Sequence, residues 1–251
     1  MSILTVRERE ILRVLSDDST VTVSELSRRL GVSQVTIRTD LGKLTAKGYM
    51  VRRKRGTALP AFHDYILARQ QSMVEEKERI AKAAAGFIHD GDHVMVLAGT
   101  TTALIGKYLF GKRDVHIVSN STLILPWLRI NPAVRLTLVG GEFRPSMEGL
   151  VGPLALAEIG NFHVQAAFLG TDGLTVEKGV TAHHVEEAEV AKAMASQTDR
   201  LIVLADSSKY GKTGFALMLP IRQVSMLITD SGLGEKARKE LTEQGLSLTV
   251  V

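Results

Sequence analysis

The stretch between positions 33 and 41 decides the fold of the amino-terminal part, and it reads Ser33-Gln34-Val35-Thr36-Ile37-Arg38-Thr39-Asp40-Leu41. Ile37, Leu41 and Leu44 recur at helical spacing, so the pattern predicts a helix over residues 34–47. Ser33 is a residue type that caps the start of a helix. Gly31 stands where a preceding helix over 24–30 would end in the left-handed conformation. Two helices joined by the turn 31–33 are typical of a helix-turn-helix.

Segments on both sides extend this motif. Upstream, residues 6–15 have helical spacing, and Thr5 with Glu8 three positions later forms a capping-box pattern. The alternation at 21–23 predicts a brief strand. Downstream, short extended segments flank the basic, glycine-containing turn 52–57, which predicts a two-stranded wing.

Charge is divided unevenly along the chain. Residues 1–60 carry 12 Lys and Arg against 6 Asp and Glu, whereas residues 61–251 carry 19 against 21. The basic part predicts contact with a polyanion such as nucleic acid. The alternative at this point is a solvated surface with a chance asymmetry.

Composition excludes several classes of protein. The 45% hydrophobic and 23% charged residues are typical of a globular chain, which excludes a disordered, collagen-like or rod-like one. The chain has no cysteine, which excludes disulfide scaffolds, zinc–thiolate sites and iron–sulfur clusters. No apolar run reaches the roughly 18–20 residues of a membrane helix, and charges precede any secretion signal. We therefore expect a soluble, cytoplasmic protein with no membrane partner.

The second helix of a helix-turn-helix enters the major groove of DNA with its first residues facing the bases. Gln pairs with adenine and Arg with guanine or a phosphate, while a basic wing suits phosphate or the minor groove. The residues predicted to contact double-stranded operator DNA are Ser33, Gln34, Val35, Thr36, Arg38, Thr39, Arg52, Arg53, Lys54 and Arg55. A three-helix bundle that binds protein is the alternative.

Beyond residue 73 the chain alternates between apolar β-rich runs and helical stretches. The runs are 93–97, 115–119, 134–139, 166–170, 200–205, 223–229 and 246–251. The helical stretches are 75–89, 101–110, 121–130, 154–159, 184–198 and 235–244. Nearly all-apolar strands that alternate with helices predict an α/β fold with a mostly parallel sheet, buried on both faces. The predicted organisation is a winged helix-turn-helix over 1–60, a linker over 61–72 and a larger α/β domain over 73–251.

Polar residues follow several of the predicted strands, and ligands of parallel α/β sheets bind beyond the carboxyl ends of the strands. The turn 99–102 reads Gly99-Thr100-Thr101-Thr102 between a strand and a helix, where free amides and hydroxyls suit an anion. A tight turn with threonine caps is the alternative. Asn120 and Asp172 suit sugar hydroxyls, and Lys209 suits a phosphate.

The stretch 33–41 resembles the helix-turn-helix signature of the DeoR family of bacterial sugar-metabolism regulators, and the turn 52–57 resembles that family's wing. The family usually has Lys or Arg where Thr39 stands and a second Gly where Thr57 stands. We expect Thr39 to weaken a phosphate contact or to change base preference. We expect Thr57 to alter the tip of the wing.

The part from 73 onward resembles the DeoR sensor domain, which is related to ribose-5-phosphate isomerase and glucosamine-phosphate deaminase-like folds. The resemblance implies a phosphorylated sugar or sugar-alcohol effector. The residues that it implies are Gly99, Thr100, Thr101, Thr102, Asn120, Gly140, Gly141, Asp172, Thr181, Glu187 and Lys209. Leu97 replaces the Asp that commonly precedes the phosphate turn, and Gln165 stands where an Asp is frequent.

The sequence thus predicts a transcriptional repressor of a sugar or sugar-alcohol catabolic operon, acting as a homo-oligomer (dimer or tetramer) because paired reading heads match paired half-sites. No cofactor and no metal are expected, since no third ligand is suitably spaced near His183 and His184. The alternative is an isomerase- or deaminase-like enzyme with a fused DNA-binding head. Leu97 argues against it, because the carboxylate for proton transfer is missing.

Overall fold

The computed structural model describes residues 4–17, 21–46, 50–52, 58–60, 66 and 69–251. The chain divides into two compact units, which we call the amino-terminal unit (residues 1–69) and the carboxy-terminal unit (residues 70–251). The division falls inside the predicted linker 61–72, most of which lies outside the described residues.

The amino-terminal unit contains three helices and a two-stranded hairpin. The helices are α1 (Val6–Asp17), α2 (Val23–Leu30) and α3 (Gln34–Ala46). The strands β1 (Met50–Arg52) and β2 (Ala58–Pro60) pair antiparallel, as the prediction of a wing requires. The turn between these strands lies outside the described residues.

Local hydrogen bonds fix where these helices begin and end. The Glu8 N–H donates to Thr5 Oγ1 (3.1 Å) and the Thr5 N–H donates to Glu8 Oε2 (2.7 Å), which is the predicted capping box. The brief strand predicted at 21–23 is wrong, because Thr22 forms a second capping box with Glu25 and so starts α2. Gly31 ends α2 with φ 65°, the left-handed conformation that glycine adopts without strain.

A small apolar core holds the three helices together. Ile37, Leu41 and Leu44 of α3 are buried as predicted, and they share a cluster with Ile11 and Leu26. An ion pair adds to this core, since Arg7 Nε lies 2.6 Å from Oδ2 of the buried Asp40. The inward face of α3 is thereby fixed.

The carboxy-terminal unit contains a seven-stranded parallel sheet. Its strands are β3 (His93–Val96), β4 (Val115–Ser119), β5 (Val134–Leu138), β8 (Val164–Leu169), β11 (Thr198–Leu204), β13 (Met226–Thr229) and β14 (Ser247–Val250). Their order across the sheet is β14-β13-β11-β8-β3-β4-β5. These are the seven predicted runs: β4 has the predicted ends, and the ends of the other strands differ by at most three residues.

Helices cover this sheet. They are α4 (Val74–Gly86), α5 (Leu125–Leu128), α6 (Pro153–Ile159), α7 (Val185–Ala195) and α8 (Glu235–Glu243). Successive residues of β3 alternate between two apolar clusters: Met95 belongs to one, and Val94 and Val96 belong to the other. The sheet is therefore buried on both faces. Among the described helices, none is both long and apolar enough to cross a membrane.

The carboxy-terminal unit also contains five short antiparallel strands that were not predicted. β6 (Glu142–Arg144) and β7 (Gly149–Val151) form a hairpin. β9 (Gly173–Thr175), β10 (Gly179–Ala182) and β12 (Ala216–Leu219) form a three-stranded sheet in the order β12-β10-β9. Thr181, one of the residues implied to bind the effector, thus lies in a strand.

Two predicted helices differ from the structure. The stretch 101–110 forms a seven-residue 3-10 helix, Thr102–Tyr108, instead of the α-helix expected there. The stretch 121–130 is helical only over Leu125–Leu128, because Ser121 bridges to Gly149 and the Thr122 N–H donates to Glu148 O (3.0 Å). These two bonds hold residues 121 and 122 against the hairpin instead.

Candidate functional site

The outer face of α3 presents the predicted DNA-contacting side chains to solvent. Gln34, Val35, Arg38 and Thr39 are exposed, and Val35 is exposed to 69% although it is apolar. The Thr36 N–H donates to Ser33 Oγ (3.1 Å), so Ser33 caps the helix as predicted. The face is therefore a polar, basic surface on a rigid helix.

The wing supplies the remaining predicted contacts. Arg52 is the last residue of β1, opposite Ala58. Arg53, Lys54 and Arg55 lie outside the described residues. Their contact with DNA stays a prediction.

The turn 99–102 follows the central strand β3. Thr102 is fully buried, and its hydroxyl donates to Leu97 O (2.7 Å) and Gly99 O (3.2 Å). The hydroxyl therefore shapes the turn. Ala103 donates to Gly99 O (3.1 Å), and the N–H groups just before it are those that a helix start leaves without an intrahelical partner.

Asn120 ties three segments together. Its Oδ1 accepts from the Ala98 N–H (2.7 Å), and its Nδ2 donates to Leu150 O (3.0 Å). Gly149 fits beside it because a Cβ there would lie 2.8 Å from Ala98 Cβ. Asn120 is fully buried, so its amide positions the turn after β3 against the hairpin. The expected contact of Asn120 with a sugar hydroxyl stays a prediction.

Gly140 and Gly141 follow β5. The Gly140 N–H donates to Glu158 Oε2 (2.7 Å), so this amide is already bonded to α6. Gly141 has φ 139°, and a Cβ there would lie 2.6 Å from Val151 O. Glycine is therefore needed at position 141 for close packing on β7 and α6, whereas a Cβ at position 140 would meet only the flexible Glu158 carboxylate (3.0 Å).

Asp172, Thr181, Glu187 and Lys209 come from four segments of the chain. Asp172 is buried, and its Oδ2 accepts from the His183 N–H (2.8 Å). The Thr181 hydroxyl donates to Gly173 O (2.9 Å). Glu187 is buried in the first turn of α7, and Lys209 is half-buried. Asp172 and Thr181 meet directly, since the Asp172 N–H donates to Thr181 O (3.0 Å).

A second carboxylate stabilises the turn after β11. The buried Asp230 accepts from the Ser207 N–H (2.6 Å), the Ser207 hydroxyl (2.9 Å) and the Gly232 N–H (2.8 Å). Burial alone would raise the pKa of Asp230, but these donors outweigh burial and hold the pKa below its ordinary value. The charged form therefore fixes the segment that carries Lys209.

Arg144 links the hairpin to α7. Its guanidinium lies 2.9 Å from Glu142 Oε1 and 3.2 Å from Glu186 Oε1. Arg144 is half-buried, and its ion pairs with Glu142 and Glu186 connect the hairpin to the first turn of α7.

Sequence reasoning missed a cavity beside the turn 99–102. It has a volume of about 220 Å³, and Thr100, Lys77 and Trp127 line it. Trp127 is half-buried and forms a wall of this cavity. The sequence signal that could have indicated it is Lys77, a lysine at the helical spacing of the apolar residues Ile80, Ala81 and Ala84.

Comparison with protein families identifies the chain. The family model of the DeoR C terminal sensor domain matches residues 72–231, and that of the DeoR-like helix-turn-helix domain matches residues 7–60. The chain belongs to the DeoR family. It joins a DNA-binding helix-turn-helix to a sensor domain, the organisation of a transcription regulator.

Curated relatives agree over nearly the whole length. The HTH-type transcriptional repressor GlcR of Bacillus subtilis is 31% identical over 243 residues, 96% of this chain and 93% of that protein. The HTH-type transcriptional regulator GolR of Listeria innocua is 29% identical over 252 residues, 97% of each. GlpR of Haloferax volcanii, also an HTH-type transcriptional regulator, is 30% identical over 250 residues, 96% of each.

Solved structures are more distant. The sorbitol operon regulator SorC of Klebsiella pneumoniae aligns over 96% of this chain and 100% of that one, with 12% identity and a TM-score of 0.38. A D-ribose-5-phosphate isomerase in complex with phospho-erythronic acid aligns over 55% of this chain and 54% of that one, with 19% identity and a TM-score of 0.40. At these TM-scores neither likeness bears on what this DeoR-family chain binds.

Leu97, which stands where the family commonly has an Asp, is fully buried and belongs to an apolar cluster of the core.

Proposed function

We propose that the chain represses a sugar or sugar-alcohol catabolic operon and that a phosphorylated sugar modulates its affinity for DNA. The exposed polar face of α3 is the observation that supports repression through DNA binding. Gln34 and Arg38 stand on that face, and these residue types form bidentate bonds with adenine and guanine. The relatives named as repressors and regulators support the same assignment.

The effector class follows from the turns at the carboxyl edge of the sheet. The turn 99–102 offers backbone N–H groups, and the turn after β11 carries Lys209, which together suit a phosphate. Asp172 and Glu187 add carboxylates for hydroxyl groups. A phosphorylated polyol meets both requirements.

Regulation requires two states of the protein. The effector binds one state better than the other, and DNA must then weaken effector binding by the same factor, typically about 1–3 kcal/mol. Paired operator half-sites require paired reading heads, so we propose a dimer or tetramer.

DNA binding is tested by the salt dependence of affinity for the promoter region beside the chain's own gene. Several neutralised phosphates make the logarithm of the association constant fall steeply with the logarithm of salt. A flat response, or equal affinity for random DNA, favours a winged helix that binds protein and contradicts the proposal.

The effector is tested by thermal shift with a panel of sugar phosphates and their unphosphorylated parents, because a ligand that binds only the folded state raises Tm. Thr100→Ala and Lys209→Ala should reduce the effect of the hit on DNA release while DNA binding without ligand is kept. A normal response of both variants would show that these turns are not the site. Turnover of any panel member would instead indicate the enzyme alternative.

A further inference from the structure

The strand β12 lies at the edge of the three-stranded antiparallel sheet. It pairs with β10 on one side, and the order β12-β10-β9 leaves its other side without a partner among the described strands. Within the part of the chain that the structure describes, residues 215–219 form no main-chain hydrogen bond outside the ladder with β10. The N–H and C=O groups of an antiparallel strand point to both of its sides in turn. Part of the peptide groups of β12 are therefore open to a further strand.

The sequence around β12 lacks the charges that commonly protect an edge strand. Residues 213–221 contain no Asp, Glu, Lys or Arg. Phe215, which directly precedes β12, is exposed to 84%, and Leu217 within it is exposed to 47%. Phe215 is the most exposed large apolar residue among those that the structure describes. Natural proteins cover or charge such an edge, because it otherwise pairs with other chains.

A groove of about 560 Å³ lies at the other end of β12. Leu219 and Pro220 line one side of it, and the end of α7 and the start of β11 line the opposite side. Its charged lining residues are Lys192 on α7 and Asp199 on β11, so the groove has no net charge. A nucleic acid or a strongly charged peptide therefore finds no complementary field there, whereas a neutral apolar side chain does.

The edge and the groove are complementary to a second copy of themselves. If two copies of β12 pair antiparallel about a two-fold axis near Leu217, residue 215 of each copy lies opposite residue 219 of the other. The exposed phenyl ring at one end of each strand is thereby brought to the groove at the end of the other strand. Aromatic side chains that fill a pocket are the usual anchors of protein interfaces. One symmetric contact would thus cover both exposed features.

We propose that two copies of this chain associate through β12, with Phe215 of each copy in the groove of the other. The inference rests on the homo-oligomer of the proposed function and assigns an interface to it. The edge also adjoins a residue of the implied effector site, since Thr181 of β10 lies opposite Leu217 and accepts at Oγ1 from the Gly214 N–H (2.7 Å). The proposed interface and that site therefore share a pair of neighbouring strands.

Sedimentation velocity of the full chain without DNA tests the association. We expect the unmodified chain to sediment as a dimer or tetramer. Phe215→Asp should raise the dissociation constant of the contact by about thirtyfold or more, because it places a charge against an apolar wall. Phe110→Asp is the matched control, since Phe110 is exposed to 81% elsewhere on the same unit, and it should leave the dissociation constant within about twofold. Both variants should keep the circular dichroism spectrum of the unmodified chain.

A spin label tests which edge is paired. The chain has no cysteine, so Leu217→Cys carries the label at one position only. A strand rises about 3.4 Å per residue, so the two Cα atoms at position 217 lie within about 15 Å in any register in which two four-residue strands overlap. We expect dipolar broadening of the paramagnetic resonance spectrum, which an excess of unlabelled chain removes. A label at 217 that instead dissociates the oligomer, while a label on Phe110→Cys does not, supports the same edge.

Failure of the inference and failure of the proposed oligomer give different results. If the unmodified chain is an oligomer that Phe215→Asp leaves within twofold, or an intact oligomer labelled at 217 shows no dipolar coupling, the copies associate elsewhere and this inference is overturned. If the chain is a monomer both alone and on operator DNA, the proposed oligomer is overturned with it, and the edge is left to another partner. Should Phe215→Asp not fold, Leu217→Lys and the label at 217 decide.

Discussion

The two units use their polar residues in opposite ways. In the amino-terminal unit, the predicted contact residues Gln34 and Arg38 are exposed on an outer helix face. In the carboxy-terminal unit, Thr102, Asn120 and Thr181 are buried and bonded to main-chain groups. Polar side chains are thus presented to solvent in the amino-terminal unit, whereas in the carboxy-terminal unit they fix the shape of turns.

Substitutions separate these two uses. Changes at the buried polar residues should lower the free energy of unfolding, and changes on the outer face of α3 should lower DNA affinity while stability is kept.

Asn120→Ala should have the largest effect. It leaves the Ala98 N–H and Leu150 C=O buried without their partner and opens a small cavity, so we expect a loss of about 3 kcal/mol in the free energy of unfolding. Urea denaturation measures it. Asn161→Ala, at an exposed asparagine, is the control and should cost less than about 0.5 kcal/mol. An equal cost at both positions would contradict the structural role of Asn120.

Asp230→Asn should have the next largest effect, and the loss in the free energy of unfolding should depend on pH. Its charged form accepts three hydrogen bonds, so we expect a loss of about 2 kcal/mol at pH 7. Because its pKa is lowered by folding, this stability is present above the unfolded pKa and is lost as pH falls through the folded pKa. The difference between the two proteins should therefore shrink below about pH 4. A difference that is constant from pH 7 to pH 3 would contradict this account.

Arg38→Ala tests the outer face of α3. We expect operator binding to weaken by about 1.5 kcal/mol more than binding to random DNA, with the free energy of unfolding unchanged within about 0.5 kcal/mol. Fluorescence anisotropy with both DNAs measures it. Arg13→Ala, at an exposed arginine of α1, is the control. Equal losses on both DNAs would assign Arg38 to the phosphate backbone instead.

Thr22→Ala should have the smallest effect. It removes one half of the capping box of α2, which typically costs about 1 kcal/mol. Thermal unfolding of the full chain measures it, and the exposed Ser24→Ala on the first turn serves as the comparison. A Tm unchanged by Thr22→Ala would mean that α2 is held by its packing alone.

The sequence predicted the frame of both units because burial leaves a local pattern. Strands such as β4 and β8 are buried on both faces, so each is visible as an apolar run. Gly31 and the pair Thr5 and Glu8 mark helix ends through bonds to near neighbours. These features depend on residues close together in the chain.

The remaining features depend on distant partners. β6 and β7 have three residues each and exist because they pair with one another and with the turn at Asn120. Residues 121 and 122 are held by Gly149 and Glu148 and so leave the predicted helix. The periodicity of apolar residues within a short stretch of sequence does not indicate such contacts.

The candidate site shows the same limit. The turns that carry Thr100, Asn120 and Lys209 were found because polar residues follow apolar strands. Which of these side chains face a ligand is decided by hydrogen bonds across the sheet edge, as the Asn120 bond to Ala98 shows. Lys77 was overlooked because a single lysine in a helical stripe looks like a solvated residue until the packing is known.

The strand order has a consequence for synthesis of the chain on the ribosome. β3 lies in the middle of the sheet. One of its edges pairs with β4, which is synthesised soon after it, but the other edge pairs with β8, where Val94 lies opposite Ala166, and β8 is synthesised much later. A nascent chain that has emerged only as far as residue 160 therefore exposes an unpaired apolar edge of β3. This edge can pair with a strand of another nascent chain and so start aggregation. The helix-turn-helix lies in the compact unit of residues 1–69 and has an apolar core of its own around Ile11, Leu26 and Ile37, so it does not wait for β8. Premature termination in the middle of the gene should thus yield a chain whose amino-terminal unit is folded and whose incomplete carboxy-terminal unit aggregates.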